Sequence, residues 1–184
     1  ALSLANAQAE HAGAYWLIAS NLWGGVTSQV IQVTVQLRPY VVAQPASQTV
    51  SKGAQVTLNL AAGGTGPLAY QWYKNNAALD GATNASLALS GVTIEREGVY
   101  YVRITNPYGS VNSADCTLAV RDVPVFLSQP ASQTVNQGAN LTLSASASGR
   151  APLTYRWYRN GYLLPGAASG ALTIASAQPS DAGN

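Results

Sequence analysis

The chain has 184 residues, of which 47% are hydrophobic, so it contains enough apolar material for globular cores and is not a disordered segment. Nine Lys and Arg against seven Asp and Glu leave a net charge of +2, which is too small and too scattered to neutralise a nucleic-acid backbone. Because of this small charge, we predict no nucleic-acid partner. No apolar run of 18 residues occurs, and we therefore predict no membrane span in this segment.

Two sequence motifs recur at a spacing of 85 residues. Residues 44–50, with the sequence QPASQTV, are repeated at residues 129–135. The Tyr-x-Trp-Tyr motif at residues 70–73 is repeated at residues 155–158. Self-similarity at a fixed period indicates an array of one folded unit.

The period divides the chain into three segments. We predict that residues 1–37 form the C-terminal part of a repeat, with strands E to G. Residues 38–122 form a complete repeat, and residues 123–184 form the N-terminal part of another, with strands A to E. The chain is therefore expected to be a window on a longer protein.

Within the complete repeat, short runs of residues alternate between apolar and polar side chains. Alternation with a period of two is the pattern of a β-strand that buries one face. Turn signals rich in Gly, Asn and Pro separate the runs. About seven short strands in one repeat favour an antiparallel β-sandwich. The runs lie at residues 56–60, 68–72, 87–89, 100–104 and 116–120.

The positions of Trp and Tyr give the repeat a resemblance to a known family. Trp72 and Trp157 each lie inside a Tyr-x-Trp-Tyr-x-Asn segment, and Tyr15 and Tyr100 each follow a Gly-x pair. These segments resemble strand C and the tyrosine corner of the immunoglobulin superfamily, most closely its intermediate-set domains in the tandem repeats of large secreted or surface proteins of bacteria. The resemblance implies an all-β fold of tandem immunoglobulin-like β-sandwiches.

The antibody branch of that family joins its two sheets by a disulfide, and this chain lacks the cysteines for it. Leu60 stands at the strand B position and Val102 at the strand F position, while the single cysteine is Cys116. We predict a repeat without an inter-sheet disulfide and an inward-facing Cys116 thiol. The implied structural core consists of Trp72, Trp157, Tyr15, Tyr100, Leu60 and Val102.

Catalysis requires acids, bases or nucleophiles within reach of one another. The chain has one histidine and seven carboxylates, and the repeat equivalents of His11 are Arg96 and Asp181. Asp115 and Asp122 flank the end of the complete repeat, but a calcium site needs more clustered oxygen ligands. We predict no enzymatic activity, no cofactor and no metal site.

Aromatic side chains form the candidate contact surface. Alternation turns Tyr73 outward on strand C and turns Tyr101 and Arg103 outward on the adjacent strand F. Such a group is either a structural pair that stabilises the sheet or a binding face, because aromatic and Arg side chains also form interface hot spots. Two residues at hairpin tips are expected to pack on an adjoining repeat or to meet a ligand. The remaining candidates are Trp16, Arg156 and Tyr158 on strands and Trp23 and Tyr108 at the tips.

Short connections between repeats predict a mechanical role. Three residues, 36–38, precede Pro39, and Pro124 follows the next strand in the same way, so the repeats have little room to tumble. We predict an extracellular or cell-surface structural array that acts as a filament, stalk or spacer. Its partners are itself or adjacent immunoglobulin-like repeats, and its open ends are completed by chain continuation or by strands of a neighbouring chain. The alternatives are an adhesin that binds a surface protein or glycan through its C-F-G sheet face, and the accessory repeats of a secreted enzyme.

Overall fold

The structure is a computed structural model that describes residues 1–183. The chain divides into two compact units, Ala1–Ala119 and a second that begins at Val120. Helical structure among the described residues is confined to the 3-10 turns Ala9–His11, Ile94–Arg96 and Pro179–Asp181. These turns are spaced by 85 residues, so the period of the sequence returns in the structure.

Residues 1–37 contain two antiparallel strand pairs. The strands are β1 (Gly13–Tyr15), β2 (Ile18–Asn21), β3 (Gly24–Thr27) and β4 (Ile31–Val33). β1 pairs with β4, and β2 forms a hairpin with β3. Gly13 lies opposite Val33, and Asn21 lies opposite Gly24. The assignment of this segment to strands E to G of a repeat stays a prediction.

The middle repeat is a sandwich of two layers. Its strands are β5 (Tyr40–Ala43), β6 (Gln48–Ser51), β7 (Val56–Asn59), β8 (Ala61–Gly63), β9 (Ala69–Lys74), β10 (Ala77–Ala78), β11 (Ser86–Leu89), β12 (Gly98–Asn106), β13 (Gly109–Asn112) and β14 (Cys116–Arg121). One sheet has the order β10-β9-β12-β14-β6, with β13 also paired to β12. In the other layer β11 pairs with β7 and β5 pairs with β8. Because only Leu60 separates β7 from β8, they act as one strand that changes partner.

The second unit repeats the first half of this sandwich. Its strands are β15 (Val125–Ser128), β16 (Leu141–Ser144), β17 (Ser146–Ser148), β18 (Tyr158–Arg159), β19 (Tyr162–Leu163) and β20 (Ala171–Ile174). β15 pairs with β17, β16 with β20, and β18 with β19. Within the described part of this unit, no strand corresponds to β12 or β14.

Strand registers follow the same period as the sequence. Val56 lies opposite Leu89 in the β7–β11 pair, and Leu141 lies opposite Ile174 in the β16–β20 pair. The register shift in the β5–β8 pair also recurs in the β15–β17 pair. These features confirm the predicted all-β fold with an 85-residue repeat. The segment boundaries at residues 37 and 122 stay a prediction.

The core of the middle repeat lies between its two layers. Trp72, Tyr100 and Val102 are fully buried, and Leu60 is 7% exposed. Each large apolar side chain contributes about 1.5 to 3 kcal/mol when it is buried. The Cys116 thiol is free and 1% exposed, and burial raises its pKa, with a smaller contribution from the Asp115 carboxylate. Apolar packing therefore occupies the positions where the disulfide of the family's antibody branch would stand.

Two residues of the predicted core differ from their counterparts. Tyr15 and Trp157 are only half-buried, and Trp157 lies just outside β18 instead of within a strand. The reason is a difference in the strands that cover these residues. In the middle repeat β9 pairs with β12 along six residues, which buries Trp72, and no such partner covers Trp157 in the described residues.

Candidate interaction surfaces

The outward side of strands β9 and β12 carries a stacked aromatic pair. Tyr73 and Tyr101 lie directly opposite each other in the register, and so do Trp72 and Val102 on the inward side. The two tyrosine rings are nearly parallel, with 4.8 Å between their centroids and 4° between their planes. We call Tyr73, Tyr101 and Arg103 the aromatic face. Sequence alternation therefore placed these three side chains on the correct side of the sheet.

Stacking gives the aromatic face a structural role of its own. Each ring of the Tyr73–Tyr101 pair covers one side of the other, and both residues are half-buried. Aromatic pairs at this separation contribute roughly 0.5 to 1.5 kcal/mol beyond their buried area. Arg103 is exposed beside them and reaches the Ser110 hydroxyl at 3.5 Å. The ring edges and one guanidinium group are what this face offers to a partner.

The equivalent outward positions in the other segments are also exposed. Trp16, one repeat before Tyr101, is 59% exposed, and Tyr158, one repeat after Tyr73, is 55% exposed. Arg156 is exposed as well. An aromatic residue thus occupies both of these outward positions wherever the chain contains them.

The hairpin tips carry the remaining candidates. Trp23 is 88% exposed between β2 and β3, and Tyr108 is 41% exposed between β12 and β13. Both tips have the same geometry, because the backbone N–H of Trp23 donates to Asn21 Oδ1 and that of Tyr108 donates to Asn106 Oδ1, each at 2.9 Å. Trp23 is thus solvent-facing in the structure, and its packing on another repeat stays a prediction.

The start of the middle repeat is fastened by a side-chain clamp. Asn106 Nδ2 donates to the carbonyl oxygens of Leu37 and Thr65, both at 2.8 Å. Leu37 and Thr65 also bond each other, through Leu37 N to Thr65 Oγ1 at 2.8 Å and Thr65 N to Leu37 O at 3.1 Å. We call these three residues the linker clamp. It fixes the connection between residues 1–37 and the middle repeat to two loops of that repeat.

A glycine lets the backbone pass close to this clamp. A Cβ on Gly64 would lie 2.9 Å from the carbonyl oxygen of Arg38, and the φ of Gly64 is +135°. Its equivalent, Gly149, has a φ of +151°, and a Cβ there would lie 2.9 Å from Cα of Pro124. The close approach of the incoming chain to this loop is therefore a feature of both repeats.

Sequence reasoning missed the role of Asn106 in the clamp. The available signal was the recurrence of Asn at positions 21 and 106 together with Gly at positions 64 and 149. No group of three or more His, Cys, Asp or Glu that could hold a metal ion occurs in residues 1–183. None of the helical turns in that range has the length and apolarity of a membrane-crossing helix.

Comparison with known proteins defines the class. A family model described as "Immunoglobulin domain" matches residues 38–106 and 123–184, which together exceed half of the chain. The chain belongs to the immunoglobulin-domain family.

Similar curated proteins are animal proteins with many more residues. The chain is 30% identical over 163 residues to protogenin of Mus musculus, covering 79% of the chain and 14% of that protein. It is 31% identical over 172 residues to hemicentin-1 of Mus musculus, covering 90% of the chain and 3% of that protein. It is 30% identical over 176 residues to the cell adhesion molecule DSCAM of Gallus gallus, covering 89% and 9%. The bacterial and intermediate-set parts of the predicted resemblance stay predictions.

Solved structures show the same fold. An I-band fragment of titin matches with a TM-score of 0.68 and 22% identity, covering 96% of this chain and 69% of that one. Immunoglobulin domains 1–4 of Sidekick-1 match with a TM-score of 0.52 and 24% identity, covering 96% and 54%. At these identities the likeness concerns the fold alone.

Proposed function

We propose that the chain is part of an extracellular or cell-surface array of immunoglobulin-like repeats that bears mechanical load as a filament, stalk or spacer. The observation that carries this proposal is the position of the strands through which force would pass. The chain enters the middle repeat at Leu37 and leaves it through β14, and β14 lies next to β6 in the sheet. Tension applied to the two ends therefore loads the hydrogen bonds between neighbouring strands at the same time.

Side chains add to the bonds in this region. The backbone N–H of Ala114 donates to Gln44 Oε1 at 2.8 Å, and that of Thr117 donates to Ser47 Oγ at 2.9 Å. Gln44 and Ser47 belong to the recurring QPASQTV motif, so the next repeat has the same two residue types. The motif therefore fastens the beginning of a repeat to its last strand.

The linker clamp supports the same role. Asn106 connects the incoming backbone at Leu37 to the middle repeat, so a pull on the N-terminal side is transmitted into the sandwich. A connection held by several hydrogen bonds resists reorientation better than a flexible linker of Gly and Ser. Spacer function benefits from this property because it keeps successive repeats at a defined separation.

Single-molecule force measurements on the whole chain, tethered at both ends, test the proposal. Replacement of Gln44 and Ser47 by Ala is expected to lower the unfolding force of the middle repeat, since forced unfolding reports the unfolding rate. A matched control replaces Gln55 and Ser86, which are exposed, by Ala. Equal unfolding forces for the two double variants would contradict a load-bearing role for these bonds.

Adhesion through the aromatic face is the second candidate. It is favoured by the exposure of Arg103 and by the aromatic residues at equivalent outward positions, and similarity to a protein named as a cell adhesion molecule is in keeping with it. Saturable binding of the chain to cells or to immobilised glycans is the expected observation. The double variant Tyr73→Ala, Tyr101→Ala abolishes that binding if the face is used, whereas Trp23→Ala leaves it unchanged.

A further inference from the structure

The loop that precedes β11 contains a short acceptor sequence for N-linked glycans. Asn84, Ala85 and Ser86 match the pattern Asn-x-Ser/Thr, in which the middle residue is not proline. We call these three residues the acceptor sequence. Asn84 and Ser86 are both exposed, and Asn84 lies in a bend two residues before the strand begins. We propose that Asn84 is an N-glycosylation site and that the glycan on it covers the open edge of β11.

The backbone of the acceptor sequence is held from the inside of the repeat. The carbonyl oxygen of Asn84 accepts the Nε1–H of the fully buried Trp72 at 2.9 Å. The carbonyl oxygen of Ala85 accepts the backbone N–H of Leu60 at 3.1 Å. The side chains of Asn84 and Ser86 make no hydrogen bond within the part of the chain that the structure describes. A glycan on Asn84 therefore displaces no side-chain hydrogen bond of the folded repeat.

The equivalent loop in the second unit has the same backbone anchor but a different side chain. Trp157 Nε1 donates to the carbonyl oxygen of Ser169 at 2.8 Å, as Trp72 Nε1 does to that of Asn84. The Ser169 hydroxyl donates to the carbonyl oxygen of Ala171 at 2.6 Å, which closes the loop onto the first residue of β20. The acceptor sequence therefore belongs to the middle repeat and is not part of the 85-residue period.

A second match to the same pattern, at residues 140–142, extends into a strand pair. Asn140 Oδ1 accepts the backbone N–H of Ser176 at 3.1 Å. Thr142 lies opposite Thr173 in the β16–β20 pair, and the two hydroxyl oxygens are 3.4 Å apart. Both polar side chains of this second match already have partners in the folded unit. For this reason the modification is assigned to the acceptor sequence before β11 and not to residues 140–142.

A glycan at this position has a use because β11 is an edge strand. β11 pairs with β7, and no strand among the described residues pairs with its other edge. Edge strands are commonly protected from strand addition by charged residues, by proline or by a bulge. Residues 81–93 contain no charged residue and no proline, and the β7–β11 register has no shift. An oligosaccharide attached just before β11 blocks the approach of another strand by its bulk.

The modification is a group transfer from a lipid-linked oligosaccharide diphosphate. Asn84 Nδ2 loses one proton and forms a bond to C1 of the first sugar. The bond between C1 and the diphosphate oxygen breaks, and the lipid diphosphate leaves with the electron pair of that bond. An oligosaccharyltransferase of the secretory pathway catalyses this transfer, so the inference rests on the extracellular or cell-surface location proposed above. Its tests measure mass and association and not force, so the mechanical proposal fails independently of it.

Mass spectrometry of the whole chain, secreted from cultured animal cells behind an added signal peptide, tests the attachment. The chain is expected to carry an oligosaccharide that peptide-N-glycosidase removes, and this enzyme leaves a carboxylate at the Asn84 side chain as a mark of the site. Ser86→Ala is expected to lose that glycan and Ser86→Thr to keep it, because only Ser and Thr fit the pattern. Asn140→Gln is the control and leaves the Asn84 glycan in place. An unmodified Asn84, or a Ser86→Ala chain that still carries its glycan there, overturns the proposal.

Analytical ultracentrifugation of the same secreted chains tests what the glycan does. The average mass of Ser86→Ala is expected to rise more steeply with concentration than that of the glycosylated Ser86→Thr chain, because its β11 edge is uncovered. Ala88 is exposed on β11, and adding Ala88→Lys to Ser86→Ala is expected to return association to the level of Ser86→Thr, since a lysine protects an edge strand. Equal association of Ser86→Ala and Ser86→Thr overturns the covering role. Association that persists in the Ser86→Ala, Ala88→Lys chain overturns it as well, because it places the contact away from this edge.

Discussion

The buried Tyr100 hydroxyl donates a hydrogen bond of 2.6 Å to the backbone carbonyl oxygen of Arg96. One repeat earlier, Tyr15 donates to the carbonyl oxygen of His11 at 2.9 Å. In both places the bond spans four residues and ties the 3-10 turn to the strand that follows it. The same bond occurs in two repeats with different turn residues, so it does not depend on the side chains of the turn.

Tyr100→Phe is expected to destabilise the middle repeat by about 1 to 3 kcal/mol, because the Arg96 carbonyl loses its partner in a partly buried site. Urea unfolding of the whole chain, followed by amide hydrogen exchange in β12, measures the change. Tyr101→Phe, which removes a hydroxyl from the half-buried outward ring, is expected to change stability by no more than about 0.5 kcal/mol. Similar losses of stability for the two variants would show that the hydrogen bond from Tyr100 to Arg96 stabilises the repeat no more than the Tyr101 hydroxyl does.

The two equivalent tryptophans predict unequal effects. Trp72 and Trp157 donate from Nε1 to the carbonyl oxygens of Asn84 and Ser169, at 2.9 and 2.8 Å, so their polar contacts match. Only Trp72 is fully buried. Trp72→Ala is expected to cost about 3 to 5 kcal/mol in the middle repeat, and Trp157→Ala clearly less in the second unit. Hydrogen exchange of peptides from each repeat reports the two losses separately, and equal losses would contradict the difference in burial.

Gly98→Ala is expected to destabilise the corner between β9 and β12. A Cβ on Gly98 would lie 2.6 Å from Asn75 Oδ1, which accepts the N–H of Val99 at 3.0 Å, and the φ of Gly98 is +150°. Gly91→Ala is the control, because Gly91 has a φ of +57° and open space around its Cα. The control carries only the backbone strain of about 1 to 2 kcal/mol. Thermal unfolding should show a larger loss for Gly98→Ala, and an equal loss would argue against the Asn75 contact.

The middle repeat is expected to lose stability in alkaline solution. Burial raises the pKa of both Tyr100 and Cys116, so the folded chain keeps these protons to a higher pH than the unfolded chain. Their contribution to the free energy of unfolding is therefore constant below the pKa values of the unfolded chain, which are about 10 for Tyr and 8.5 for Cys. It declines as the pH rises from these values to the higher pKa values of the folded chain. Urea unfolding between about pH 7 and 11 under reducing conditions measures this decline.

Variants separate the two titrating groups. Cys116→Ala is expected to remove the part of the decline that begins at the lower pH, and Tyr100→Phe the part that begins at the higher pH. Cys116 and Tyr100 lie opposite each other in the β12–β14 pair, so the double variant also tests their coupling. A decline of unchanged size in the double variant would assign the alkaline instability to other groups.

Local sequence patterns predicted the fold, because the alternation of apolar and polar residues indicates both a strand and the direction in which its side chains point. Alternation placed Tyr73 and Tyr101 on the outward side and Trp72 inward, and the 85-residue period transferred these assignments between repeats. The same period could not predict that Trp157 is half-buried, since burial depends on which strands lie over a residue as well as on its own type. A pattern of residue types contains no information about that cover.

The linker clamp could not be predicted for a different reason. Asn106 bonds the carbonyl oxygens of Leu37 and Thr65, which are 69 and 41 residues away in the chain. Both acceptors are backbone atoms, which every residue has, so no residue type at those positions signals the contact. Such long-range bonds between a side chain and the backbone become visible only when the loops have been placed in space.

The stacked tyrosines have a spectroscopic consequence. Two identical phenol chromophores held in parallel at 4.8 Å couple their electronic transitions, so the pair should give the repeat a near-ultraviolet circular dichroism band of its own. Tyr73 and Tyr101 come from different parts of the repeat and meet only when β9 and β12 are paired. The band therefore serves as a built-in optical reporter of the moment at which this sheet closes during folding.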